Sequence, residues 1–157
     1  MASTTFSGPV TSTNGFVGDL TGNVTGNVTG NIAGTGRVTH ATTAAINATA
    51  TATAAEVATG YITSTSAAAT AITLPTGTLL GAALGAVKGT IFDLYIDNTA
   101  GANTVTIAVA TNGILSTAAA DTAGSFGDLT VASGVTGLAR FTLMFSSATA
   151  YVFTRTA

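Results

Sequence analysis

Few side chains in this chain are of the types that carry out acid–base or nucleophilic chemistry. His40 is the only histidine, and the sequence contains no cysteine. A Ser-His-Asp triad would therefore have to use His40, which lies among threonines and alanines and has no nucleophile-elbow motif to accompany it. A histidine in such surroundings is more often structural or solvated than catalytic. We therefore expect a protein that is not an enzyme.

Asp93 and Asp97 have a spacing that could hold a cation. Side chains alternate along a strand, so both carboxylates would lie on one face of a predicted strand and could bind calcium. Solvated carboxylates opposite a core-facing row explain the same spacing more simply. One histidine without cysteine is too few ligands for most transition-metal sites, and the sequence has no glycine-rich phosphate loop with a lysine. We expect no metal and no cofactor.

The chain is unusually poor in charge. Charged residues make up 6% of the sequence and the net charge is −2, whereas soluble domains contain about 25% charged residues. No basic run is present, so the electrostatic footprint for nucleic acid or anionic lipid is missing. The apolar run 79–87 is about half of a membrane span, and residues 1–6 do not resemble a signal peptide. A near-neutral surface promotes association, which predicts an oligomer or a lattice component. The lack of a signal-peptide pattern and of a membrane span leads us to expect a protein made in a cytoplasm.

Residues 18–37 form a four-residue repeat of glycine, an Asx residue, a branched apolar residue and usually threonine. A spacing of four keeps side chains on one face of either a helix or an extended chain. Because each helical glycine costs about 1 kcal/mol, the extended arm is favoured. The arm could bury its apolar row against identical copies, as in three chains wound about a common axis, which predicts a stalk or clasp; a flexible linker is the alternative. The row consists of Phe16, Leu20, Val24, Val28 and Ile32.

Three segments follow from this pattern: an extended arm at 1–40, a neck or linker of alternating alanine and threonine at 41–56, and a domain at 57–157. Alternation favours a strand in the neck and alanine favours a helix, so both remain open there. A short helix is predicted over 79–87. The predicted strands span 61–65, 69–74, 91–97, 104–109, 128–132, 140–145 and 150–156.

The predicted fold is all-β, an antiparallel jelly-roll-like sandwich behind the arm. Short strands at intervals of about ten residues are typical of such sandwiches. Alternation in 91–97 and 104–109 around a polar turn predicts a hairpin. The predicted core consists of Phe92, Leu94, Ile96, Val105, Ile107, Phe141, Leu143, Phe145 and Phe153.

The repeat resembles those in the fibrous stems of bacteriophage tail and head fibres. Segments 61–66, 72–76, 92–99 and 141–151 resemble small phage virion structural proteins, namely trimeric capsid decoration (cement) proteins and head fibres. The resemblance implies a homotrimer with its sandwiches around a threefold axis, in a tumour-necrosis-factor-like or jelly-roll arrangement. Its partners would be its own copies and the major capsid protein, on the exterior of a capsid assembled in the cytoplasm of a host bacterium. The arm would either anchor the trimer to the capsid or lift the domain outward as a stalk, so its apolar row would serve as the trimer axis or as the capsid attachment.

Two other functions fit parts of the sequence. A virion fibre protein could bind host surface glycans, although few aromatic residues are evident for stacking on sugars. An ice-binding protein is suggested by the Thr-Ala-Thr-Ala-Thr array at 49–53, but regular threonine rungs are confined mainly to that segment.

Overall fold

The computed structural model describes residue 40, residues 42–115 and residues 129–156. These residues form ten strands in two sheets and only a few short helices, which confirms a mostly β fold. Among them, no helix is long and apolar enough to cross a membrane. The predicted arm positions Phe16, Leu20, Val24, Val28 and Ile32 lie outside the described residues.

The two sheets differ in size. The larger sheet contains, in spatial order, β1 (Ala44–Ala45), β3 (Tyr61–Thr63), β5 (Ile91–Asp97), β9 (Leu138–Ser147), β10 (Ala150–Arg155) and β7 (Gly113–Leu115). The smaller sheet contains β2 (Ala50–Thr51), β4 (Thr70–Thr73), β6 (Val105–Ala108) and β8 (Thr130–Val131). Helices α1 (Ala54–Ala58) and α2 (Gly77–Leu84) and a 3-10 helix (Gly134–Thr136) lie in the connections.

The first six strands alternate between the two sheets. Strands β1, β3 and β5 pair in parallel in the larger sheet, with Ile62 as the register partner of both Ala44 and Ile96. Strands β2, β4 and β6 do the same in the smaller sheet, where Ile72 pairs with Ile107. This part of the chain therefore winds as a short parallel coil, and it crosses between the sheets through arches after β1, β3 and β5.

The pairing differs from the expected antiparallel sandwich. Of the eight strand pairs formed by the described residues, five are parallel and three are antiparallel, namely β5–β9, β9–β10 and β6–β8. The hairpin predicted from 91–97 and 104–109 is wrong, because β5 and β6 belong to different sheets. The buried side chain of Asn98 donates to the carbonyl oxygens of Asn103 and Ala132, which holds residues 98–103 as an arch instead of a hairpin turn.

Residues of the predicted neck pair within the sheets. They supply β1 to the larger sheet and β2 to the smaller one. The next residues start α1 with a capping box, in which the Thr53 hydroxyl accepts from the Glu56 amide and the Glu56 carboxylate accepts from the Thr53 amide. The predicted domain boundary at residue 57 therefore falls inside α1.

The core lies between the inner faces of the two sheets. Of the nine predicted core residues, eight are buried, and Phe92 is partly buried against the core. The rings of Phe141 and Phe153 stack with centroids 4.9 Å apart. Ile62, Ile72 and Leu80 are also fully buried, so residues on the coil and on α2 contribute to the same core. Removal of this apolar surface from water is the main force that holds the sheets together.

Helix α2 lies close to the turn between β9 and β10. A Cβ at Gly81 would overlap the carbonyl oxygen of Ala148, so only glycine allows this approach. The helix begins at the N-cap Thr76, whose hydroxyl accepts from the Leu79 amide, and ends at Gly85 in the left-handed conformation. The helix predicted over 79–87 is thus present with earlier bounds.

Candidate functional site

A shallow basin lies on the outer face of the larger sheet. It encloses about 500 Å³. Its lining contains three rings that carry polar atoms, one carboxylate and three apolar side chains. These residues are His40, Tyr61, Ile91, Phe92, Asp93, Tyr95 and Leu138.

Strand pairing brings the two tyrosines of the basin together. Tyr61 on β3 and Tyr95 on β5 are register partners in adjacent parallel strands, which lie about 4.8 Å apart. Alternation along β5 directs Leu94 and Ile96 into the core, and this leaves Asp93 and Tyr95 on the outer face. The same alternation that builds the core therefore presents the tyrosine pair to solvent.

His40 completes the aromatic cluster. Its Nδ1 atom lies 2.8 Å from the carbonyl oxygen of Thr59, and its ring centroid lies 6.2 Å from that of Tyr61 and 5.7 Å from that of Tyr95. Because a carbonyl oxygen only accepts, Nδ1 carries the proton and Nε2 is an acceptor in the neutral ring. Gly60, with φ +74°, has no Cβ and so makes room for the His40 ring.

A hydrogen-bonded pair fixes the tyrosine on β3. The Tyr61 hydroxyl donates to Oδ2 of Asp97 over 2.6 Å, and the Thr99 hydroxyl and amide donate to Oδ1 over 2.6 and 2.9 Å. The Thr99 hydroxyl, followed by the Tyr61 hydroxyl and the Thr99 amide, lowers the pKa of the Asp97 carboxyl. The bond to Asp97, together with burial, raises the pKa of Tyr61. At neutral pH the pair is therefore a carboxylate and a neutral phenol.

The two aspartates considered for calcium bind different partners. Asp93 Oδ1 accepts from the Thr142 hydroxyl over 2.6 Å, whereas Asp97 is engaged by Tyr61 and Thr99. Over the ranges that the structure describes, no group of three or more His, Cys, Asp or Glu side chains is arranged to hold a metal ion. Asp93 lines the basin as its one charged side chain.

Exposed apolar side chains lie at the two ends of the basin on the same face. Ile91 and Met144 are register partners on β5 and β9 and are 61% and 50% exposed, and Leu138 is 52% exposed. We call the adjacent pair Ile91 and Met144 the outer apolar patch; Leu138, which pairs with Asp97, lies at the opposite end of the face. Adjacent exposed apolar side chains on one sheet face offer a surface that another molecule can cover.

Sequence reasoning did not find the basin, because its rings are separated by 21 and 34 positions along the chain. One signal was present. The tripeptides Tyr-Ile-Thr at 61–63 and Tyr-Ile-Asp at 95–97 are similar, and the structure pairs them residue for residue in adjacent parallel strands. An internal repeat of this kind indicates stacked turns of a coil.

Comparison of the chain with known protein families, with curated proteins and with solved structures finds no match.

Proposed function

We propose that the protein is a structural component of a bacteriophage virion, a homotrimeric capsid decoration (cement) protein. It binds the outer capsid surface across the joints between capsomers and stabilises the head. The observation that carries this proposal is the outer apolar patch on a domain that is nearly free of charge. Such a surface loses little hydration energy when it is covered, so contact with a large neighbour is favourable.

The sheet edges supply a second means of attachment. Within the described part of the chain, β1 and β2 each pair with a neighbouring strand on one side only. An extended segment of a neighbouring subunit can add to such an edge through backbone hydrogen bonds, which require no ionic side chains. This mode of contact suits a chain with only ten charged residues, four basic and six acidic.

A threefold arrangement makes weak contacts sufficient. A trimer at a threefold or pseudo-threefold point of a capsid engages three subunits at once, and linked binding raises avidity by about 10² to 10⁴. In this proposal the arm row that includes Leu20, Val24 and Val28 joins the three chains. The domain has two sheets with both parallel and antiparallel pairs, whereas the resemblance to decoration proteins implies a jelly roll.

Three measurements on the protein test this proposal. Light scattering should give a mass near three times 15.2 kDa. The protein should then sediment saturably with heads of the phage whose genome encodes it, and it should raise the temperature at which those heads release DNA. A monomer that neither sediments with the heads nor changes their stability would overturn the proposal.

A pair of variants tests the outer apolar patch. Met144→Ser should weaken the affinity for heads about fivefold. In the proposed complex the capsid covers the exposed half of this side chain, and that burial is worth about 1 kcal/mol. Val135→Ser is the matched control, since Val135 is fully exposed and lies in the 3-10 helix outside the patch. Equal binding of wild type and Met144→Ser would show that the capsid contacts another surface.

A further inference from the structure

We propose that the basin binds the pyranose ring of a neutral saccharide. The proposal is independent of the decoration role and adds a ligand site on the same domain. It rests on three features of the basin: its paired aromatic rings, the hydrogen-bonding character of its polar atoms, and the charges around it.

The aromatic rings match the apolar face of a sugar. A pyranose has a C–H face of low polarity and an edge of hydroxyl groups, so it pairs with side chains that have an apolar body and a polar tip. Tyr61, Tyr95 and His40 are such side chains, and all three are partly exposed in the basin. The volume of about 500 Å³ lies within the range of about 300 to 1,000 Å³ typical of small-molecule sites.

The polar atoms of the basin are mainly acceptors. His40 uses Nδ1 to donate to Thr59, which leaves Nε2 as an acceptor in the neutral ring. The Tyr61 hydroxyl gives its proton to Asp97, so its oxygen can still accept a hydrogen bond. Asp93 carries a carboxylate of which the bond from Thr142 uses only Oδ1. A ligand rich in O–H donors complements this set.

The charges favour a neutral ligand. Asp93 is the charged residue in the lining, and its carboxylate disfavours a ligand with its own carboxylate or phosphate. Arg140 is the register partner of Tyr95 on the adjacent strand β9, so a fixed positive charge lies one strand away. Asp97, the second carboxylate on this face, has its oxygens engaged by the Tyr61 and Thr99 donors. Arg140 offsets the charge of Asp93, which disfavours a cationic ligand. Hydroxyl groups satisfy the acceptors without adding charge.

The probes are the methyl glycosides of glucose, galactose, mannose and N-acetylglucosamine. Each is added to the purified protein in the oligomeric state that light scattering finds. Saturation-transfer NMR reports contact with ring protons, and tyrosine fluorescence reports on the basin because two of the three tyrosines line it and tryptophan is absent. We expect at least one glycoside to bind with a Kd of roughly 1 mM.

Variants identify the site. Tyr95→Ala should weaken binding by about tenfold or more, whereas Tyr95→Phe, which keeps the ring, should stay within about threefold of wild type. Leu79→Ala is the control, because Leu79 is an exposed apolar residue on α2 that does not line the basin. Circular dichroism should show unchanged folding, since Tyr95 is on the outer face.

Three results would overturn the proposal. The first is no saturation transfer from any of the four glycosides at roughly 50 mM. The second is undiminished binding by Tyr95→Ala, and the third is binding of tetramethylammonium in preference to every glycoside, which would indicate a cation site. Because Tyr95→Ala should leave sedimentation with phage heads unchanged, failure here is distinguishable from failure of the decoration role.

Discussion

The side chain of Asn98 ties the two sheets together at the end of β5. Its Nδ2 atom donates to the carbonyl oxygens of Asn103, Val131 and Ala132 over 2.8, 3.2 and 3.0 Å. Its backbone amide donates to the Gly137 carbonyl over 2.7 Å. The residue is fully buried, so water cannot take over as donor to these carbonyl oxygens. The amide group is therefore needed as a donor at this position.

We predict that Asn98→Asp lowers the free energy of unfolding by more than about 3 kcal/mol at pH 7. The change keeps the shape of the side chain but would direct a buried carboxylate at carbonyl oxygens, with no donor to offer them. Urea unfolding followed by circular dichroism measures the loss.

Asn47→Asp is the matched control for this change. Asn47 is exposed, and its Oδ1 accepts from the Thr65 amide over 2.8 Å, a role that a carboxylate oxygen can also fill. We expect a change within about 0.5 kcal/mol. Equal losses in the two variants would contradict the donor role assigned to Asn98.

Among the elements, the segments between strands use threonine and asparagine side chains to bond the backbone, so these contacts need no charged residues. The Thr49 hydroxyl accepts from the Ala71 amide over 3.1 Å, and Asn103 donates to the Ala67 carbonyl over 2.5 Å. In these bonds, side chains that lie between strands reach backbone groups of a neighbouring turn of the coil. Short polar side chains are suited to such local backbone bonding.

Tyr151 joins β10 of the larger sheet to the end of β4 in the smaller one. The ring is fully buried, and its hydroxyl donates to the Pro75 carbonyl over 3.1 Å. Burial raises the pKa of Tyr151 from 10.0 to about 12. The folded state thus favours the neutral phenol, so this contribution to stability is complete below pH 10 and is lost as the pH rises towards 12.

Tyr151→Phe should therefore have two effects. It should lower the free energy of unfolding by about 1 to 2 kcal/mol at pH 7, because one buried hydrogen bond is lost. It should also make the fall in stability above pH 10 shallower than in wild type, because the titrating group is gone. Urea midpoints measured across the alkaline range check both effects. An alkaline fall as steep as that of wild type would contradict the assignment to Tyr151.

Alternation of side chains predicted the existence of the longer strands, and it could not predict their partners. Residues 91–97, 104–109, 140–145 and 150–156 alternate clearly and lie in or around β5, β6, β9 and β10. The polar segment 98–103 is compatible with a hairpin or an arch. Contacts of Asn98 with residues more than 30 positions away decide between them. Strands β1 and β2 have two residues each, too few for a periodic signal.

The basin depends on the whole fold in a way that local patterns do not reveal. Tyr61 and Tyr95 become neighbours only because β3 and β5 are adjacent turns of the coil. His40 joins them through a backbone contact 19 positions away, at Thr59. The sequence indicated few aromatic residues for sugar stacking, whereas the fold concentrates three polar rings in one place.

At the scale of the whole molecule, the proposed decoration role divides the work between the arm and the domain. In that proposal the arm row would hold the chains together, and the domain carries the outer apolar patch and the basin. In the double variant Val24→Asp/Val28→Asp, the apolar row would have to bury carboxylates. Each buried valine contributes about 1.5 kcal/mol, and an unpaired buried carboxylate costs several more. We therefore predict that light scattering of this variant gives a mass near 15.2 kDa instead of three times that value.

The control adds the same two charges at other positions of the same repeats. Thr25→Asp/Thr29→Asp places carboxylates outside the apolar row and should remain trimeric. Because the core cluster runs from Ala44 to Phe153 and so excludes the arm positions, both double variants should keep the wild-type urea midpoint for the domain. A trimeric Val24→Asp/Val28→Asp would show that the arm row does not hold the chains together. Loss of the trimer in both variants would instead indicate that added charge, and not burial of the row, disrupts association.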